Sequence, residues 1–207
     1  MNFDKATHPD CGKKYKFVKD ILITPFYTED FCDELVSVCE EKKKQFSPYI
    51  VYNQTEGTTG DCPWDTLFFN QIHKNLFKSF CLQYKERIAP LLFSQFPGSY
   101  ITGWFTPMVI KYHREGQNVK LHNDTSKFTL NVKLNTEFKG CHVEFPRQRW
   151  TNKDIPKGWG FVWPSQVTHP HVAYPLISGT KYSLSSWTHP VEWDQSKLEG
   201  SILYNEC

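Results

Sequence analysis

Between Phe128 and Asn135 apolar and polar residues alternate without a break, Phe128, Leu130, Val132 and Leu134 against Thr129, Asn131, Lys133 and Asn135. Successive side chains of an extended strand point to opposite faces, so this segment predicts a strand with one apolar and one polar face. The short period continues through the second half of the chain, where strands are predicted over 18–26, 100–112, 119–124, 141–146, 158–163, 168–174 and 179–188, the first of them preceding the helices. Elsewhere in the first half the period is helical. Thr28 suits an N-cap, Glu29 and Asp30 the first turn, and Lys42 to Lys44 the last, with Phe31, Leu35, Val38 and Cys39 on one face. A second helix is predicted from Asp65 to Ala89, carried by Phe69, Ile72, Leu76, Phe80, Tyr84 and Ile88 and ended by Pro90.

Two helices and about eight short strands imply a mainly β architecture with flanking helices. A jelly roll, the double-stranded β-helix of cupin-like proteins, fits best, and its open end can hold a small ligand. No repeat, low-complexity tract or Gly/Ser linker marks a boundary in the 207 residues. One domain over 1–207 is therefore expected, with helical support over 20–95 and a jelly-roll core over 100–190.

Composition narrows the function classes. Lys and Arg number 24 against 22 Asp and Glu, a net charge of +2, which is too even for phosphate-driven binding and argues against a nucleic-acid partner. The seven cysteines are odd in number and form no C-x-x-C pair, which supports neither a zinc knuckle nor a disulfide scaffold. No apolar run approaches the roughly 18 residues of a membrane span, and Met1 to Lys5 lack the regions of a signal peptide. The expectation is a soluble chain, cytoplasmic if complete and from the endoplasmic reticulum lumen if it is a domain of a secretory precursor. Two glycosylation acceptors, Asn53-Gln54-Thr55 and Asn123-Asp124-Thr125, bear on that choice.

The chemically informative residues begin with His122 and Asp124. On a strand, residues i and i+2 share a face, so an imidazole and a carboxylate can converge on one point. Such a pair is also common as a plain surface hydrogen bond. His169 and His171 supply a third ligand, and because they share a face too, spacing leaves both open. Two histidines and one carboxylate occupy one face of an octahedron and leave three positions free, which suits Fe(II) with a bidentate co-substrate and dioxygen. Zinc prefers a closed tetrahedron.

The arrangement His122, Asp124, distal His171 and Lys181 ten positions on resembles the iron- and 2-oxoglutarate-dependent oxygenases, which have a jelly-roll fold. The run His171 to Trp187, with Pro175, Leu176, Gly179 and Lys181, is similar to collagen prolyl 4-hydroxylases. The wider chain resembles the catalytic domain of procollagen lysyl hydroxylases at 26–36, 88–90, 109–112, 121–135, 139–141, 156–159 and 164–169, in collinear order over residues 20 to 190. It departs from them at Lys181, where they usually carry Arg, and in a shorter glycine run before Cys141.

That resemblance implies Fe(II) held by His122, Asp124 and His171, 2-oxoglutarate as cosubstrate, dioxygen, and ascorbate as an accessory. It selects His171 over His169 and leaves His169 as a partner that orients the ligand or as a surface residue. Lys181 is expected to pair with the distal carboxylate of 2-oxoglutarate, with Tyr112, Ser183 and Asn131 adding hydrogen bonds and Trp187 walling the cavity. The plain alternatives are a surface Lys, a core Tyr, a strand Ser, a solvated Asn and a core Trp. The implied activity is hydroxylation of a peptidyl side chain, with lysine in a collagen-like protein first and proline second. A non-catalytic metal-binding jelly roll and a zinc hydrolase are the alternatives from other classes. A homodimer contact or an internal clasp falls to Trp193, Leu198, Ile202, Leu203 and Tyr204.

Overall fold

The computed structural model describes residues 1–53, 58–99, 103–105, 107–188 and 201–203. The first half contains β1 (Lys16–Val18), β2 (Ile21–Pro25), α1 (Glu29–Glu41), β3 (Ser47–Asn53) and β4 (Thr58–Phe68). Three helices follow, α2 (Phe69–Ile72), α3 (Lys74–Gln83) and α4 (Ala89–Gln95). The second half is β5 (Gly103–Phe105), β6 (Met108–Tyr112), β7 (Val119–His122), β8 (Phe128–Lys133), β9 (Phe138–Gly140) and β10 (Val143–Phe145). It ends with β11 (Trp150–Thr151), β12 (Trp159–Pro164), β13 (His171–Ala173), β14 (Leu176–Gly179), β15 (Lys181–Trp187) and β16 (Ser201–Leu203).

An eight-stranded antiparallel sheet in the order β1-β2-β12-β8-β15-β6-β4-β3 faces a four-stranded sheet in the order β11-β10-β13-β7. This is the jelly roll, with α1, α3 and α4 packed on the outer face of the larger sheet.

Strand β8 shows why the layers form. Phe128, Leu130 and Val132 are buried against the helices with Tyr182 and Leu184 of β15, each such burial worth roughly 1.5–3 kcal/mol. The other face, Thr129 and Asn131, is buried too, because it looks into the space between the sheets and not at solvent. Those polar groups are satisfied there, Asn131 Nδ2 donating to Ser185 Oγ of β15 at 2.8 Å. A second apolar cluster, Ile21, Ile23, Val143, Phe145, Phe161, Trp163 and Ala173, joins the two sheets.

The structure corrects several sequence expectations. Residues 58–68 form β4, so the helical pattern starts at Phe69, and the 20–95 stretch holds three strands, β2, β3 and β4, besides its helices. Pro90 does not end the helical region. Residues 84–88 widen into a π turn, the Ala89 amide donating to the Tyr84 carbonyl, and Pro90 then sits in the first turn of α4, where no N–H is required. Thr28 caps α1 as expected, its Oγ1 accepting from the Phe31 amide at 3.3 Å, but Lys42 is the C-cap and Lys43 and Lys44 lie beyond the last turn. Of the C-terminal residues considered for a dimer contact, Trp193, Leu198 and Tyr204 lie outside the described residues, as does the acceptor pair Gln54-Thr55. No described helix is long and apolar enough to cross a membrane.

Candidate metal centre and its cavity

Strands β7 and β13 pair so that His122 and His171 are register partners, which brings two imidazoles from distant segments face to face, ring centroids 4.3 Å apart. Asp124 follows β7 by two residues. Its Oδ1 is 3.4 Å from His122 Nε2 and its Oδ2 3.7 Å from His171 Nε2, and one donor atom from each of the three lies within 4.8 Å of the others. Bonds of about 2.1 Å to a metal would set neighbouring octahedral donors about 3 Å apart, so the two carboxylate–imidazole distances need little adjustment.

The donors are aimed by their second contacts. His122 Nδ1 donates to the Lys120 carbonyl at 2.8 Å and His171 Nδ1 to the His169 carbonyl at 3.1 Å. A carbonyl only accepts, so each Nδ1 carries a proton, and Nε2 is the ring atom turned toward Asp124, open to a metal once it has lost its own proton. Thr129 Oγ1 donates to Asp124 Oδ2 at 2.6 Å. Phe145 stacks on His171 at 5.3 Å and Trp163 meets it edge-on at 5.0 Å, fixing that ring from two sides.

Burial and charge act against each other here. Burial opposes the Asp124 carboxylate, but the His122 hydrogen bond, both imidazoles and the Thr129 hydroxyl outweigh it and hold the group below its usual range. Burial likewise opposes a charged His122, yet the bond and charge of Asp124 leave it above the ordinary imidazole value. For His171 burial in the aromatic cage prevails over Asp124 and its pKa falls.

One cavity is lined by His122, Asp124 and His171 together with Lys181, Tyr112, Ser183, Asn131 and Trp187. Lys181 heads β15 opposite Tyr112 of β6, and Ser183 follows on the same face. The Lys181 side chain is only 3% exposed. Its Nζ donates to the Cys141 carbonyl at 2.7 Å and lies 5.1 Å from the Tyr112 ring centre, and among the described residues no carboxylate forms an ion pair with it. Burial pushes its pKa down. A buried cation lacking an acid is costly, and an anionic ligand would remove that cost.

His169 stands apart from the cluster. Its Nδ1 meets Thr168 Oγ1 and its Nε2 the Lys19 carbonyl, so its contribution to His171 comes from its backbone oxygen and not from its ring. Sequence reasoning missed Trp64 and Trp163. Both border the cavity, and each has a buried indole N–H with no hydrogen-bond partner among the described residues. Trp64 lies one residue before the segment read as helix, and no spacing connects either residue to the triad. The chemistry of the donor set, two imidazole Nε2 atoms and one carboxylate, fits a divalent transition metal with open positions.

No protein-family model matches the chain. Among curated proteins, mouse procollagen-lysine,2-oxoglutarate 5-dioxygenase 2 is 32% identical over 177 residues, covering 83% of this chain and 24% of that protein. The human protein of the same name is 31% identical over the same coverage, and bovine procollagen-lysine,2-oxoglutarate 5-dioxygenase 1 is 29% identical over 91% of this chain and 26% of its own length. Solved structures share the fold at low identity. A viral collagen prolyl hydroxylase from Paramecium bursaria Chlorella virus-1 superposes with a TM-score of 0.59 at 16% identity, covering 88% of this chain and 99% of that one. A Trichoplax adhaerens prolyl hydroxylase gives 0.64 at 15%, covering 87% and 88%. The chain thus spans about a quarter of the length of the curated relatives it matches. By sequence it is a homologue of one segment of the procollagen-lysine,2-oxoglutarate 5-dioxygenases.

Proposed function

We propose that the chain is a ferrous- and 2-oxoglutarate-dependent dioxygenase that hydroxylates a peptidyl side chain, with lysine in a collagen-like protein as its substrate. One observation carries this reading: a His122, Asp124 and His171 donor cluster shares a cavity with the buried cation of Lys181, which has no acidic partner among the described residues. When bound, the metal with 2-oxoglutarate and dioxygen supplies the oxidising chemistry that converts a C–H bond into C–OH, yielding succinate and carbon dioxide.

The chain's own residues bind and orient. His122, Asp124 and His171 present three donors on one side of the metal position, held by the carbonyls of Lys120 and His169 and by Thr129. Lys181 takes the distal carboxylate of the keto acid, beside Tyr112 and Ser183, and Asn131 is kept in place by Ser185. Trp64, Tyr112 and Trp187 line the same cavity and exclude water from it. The helical layer and the jelly roll act as one domain in this reading, supported by the apolar core that runs from α1 and α3 into β8 and β15.

The test is an assay of the iron-loaded chain with 2-oxoglutarate and collagen-like peptides containing either lysine or proline, following succinate and locating the added oxygen by mass spectrometry. Succinate that depends on the lysine peptide, with oxygen on lysine, is the expected result. Oxygen on proline would transfer the substrate assignment to the reading favoured by Lys181 in place of Arg. Metal binding without succinate from any peptide would refute the enzyme.

A further inference from the structure

A second cavity, about 350 Å³, adjoins the first and shares Lys181 and Asn131 with it. Its size is in the range of small-molecule sites. Lys133 and Lys153 line it, with His142, and no aspartate or glutamate does. This is a local excess of positive charge in a chain whose net charge is only +2. Lys133 Nζ donates to the Lys153 carbonyl at 3.0 Å and Lys181 Nζ to the Cys141 carbonyl, so both ammonium groups are held in place by neutral oxygens that leave their charge uncompensated. Acids stand only nearby: Asp154 acts on Lys133 and Glu144 on His142. Phe138 and Gly140 close the apolar side, and Asn152 is engaged with the Val143 amide.

The cations also oppose one another. Burial and then the charge of Lys181 depress Lys133, and burial and then Lys153 depress His142. An anion among them would relieve that repulsion.

We infer that this cavity is a second anion site, which takes a small polycarboxylate bridging Lys181 to Lys133 and Lys153. Because Lys181 is shared, the occupant competes with 2-oxoglutarate for a single cation without reaching the metal cluster. The site itself stands on the geometry of this cavity; the competition rests on the function proposed above.

The experiment titrates tricarballylate and, separately, 2-oxoglutarate into the manganese-loaded chain by calorimetry, for the wild type, Lys133→Ala/Lys153→Ala and the single variant Lys153→Glu. Lys153 is exposed, so its reversal tests the charge without endangering the fold. The double variant is expected to weaken tricarballylate by at least about tenfold and 2-oxoglutarate by less than about threefold, as loss of two cations remote from the metal implies. Tricarballylate should raise the apparent dissociation constant of 2-oxoglutarate in the wild type and do so less in either variant. Tricarballylate binding that is absent from the wild type, or unchanged in both variants, overturns the inference. If 2-oxoglutarate fails to bind while tricarballylate binds through Lys133 and Lys153, the anion site stands and the oxygenase reading falls.

Discussion

Replacing Lys181 with methionine should move stability and ligand binding in opposite directions. The ammonium is 3% exposed, and its described contacts include the Cys141 carbonyl at 2.7 Å, the Cys141 thiol, and the ring faces of Tyr112 and Phe138 at 5.1 and 6.0 Å. Methionine fills most of the same volume without a charge. Exchanging buried charge for a well-packed apolar side chain stabilises by about 1–4 kcal/mol. The orphaned Cys141 carbonyl returns about 1–3 kcal/mol of that. A net gain on the order of 1 kcal/mol, or roughly 2–4 °C in Tm, follows for a chain of this size. Binding of 2-oxoglutarate should fall by about 100-fold, since cutting one partner from a buried charged pair costs about 2–5 kcal/mol and each tenfold is about 1.4 kcal/mol.

The pH dependence carries the same sign. Lys181 is depressed in the fold, so the unfolded chain binds its proton more tightly, and wild-type stability should rise with pH up to the ordinary lysine value. The Lys181→Met variant should lack that rise. Thermal melts from pH 7 to 10, with and without 2-oxoglutarate, read both effects. A variant that melts lower than wild type yet keeps its 2-oxoglutarate shift would refute the assignment of an unpaired anchoring cation.

Thr129→Val removes the hydroxyl that holds Asp124 Oδ2 and also meets Ser126 and Ser165, and it should weaken manganese binding by about 10–100-fold, as measured by calorimetry, and lower the melting temperature; unchanged affinity would show that Asp124 needs no such support. His122 is held above the ordinary imidazole value, so the proton competes with the metal early, and manganese affinity should fall as pH drops from 7.5 to 6. A flat profile would remove His122 from the donor set. His169→Ala should leave metal affinity within about threefold while His171→Ala abolishes it, because the former contributes only a backbone carbonyl; equal losses would overturn the choice between them. Gly140→Ala should destabilise by more than about 1–2 kcal/mol in denaturant titration, since φ is +80° and the new methyl would lie 2.3 Å from the Pro175 carbonyl oxygen. A neutral effect would mean that the paired strands β9 and β14 yield easily.

Local signals were readable where local physics decides. The alternation of β8 and the Thr28 cap follow from local side-chain direction, whereas β7 ends at His122 and Asp124 reaches the cluster from beyond the strand. Helical spacing at Phe69 and Ile72 drew the second helix back to Asp65, but tertiary pairing with Lys111 and Ile110 makes 65–68 a strand. The polar face of β8 pointed to solvent only so long as no opposing sheet was known. Trp64, Trp163 and the cavity around Lys133 depend on contacts between strands far apart in the chain, and no short period encodes them.

Strand β15 alternates between Tyr182 and Leu184 on the helix side and Lys181, Ser183 and Ser185 on the cavity side. Only Thr180 separates it from β14, where Gly179 turns the chain at φ +83°. A one-residue slip of β15 against its neighbours β6 and β8 would invert its parity, casting the ammonium into the oily layer and the tyrosine among the ligands.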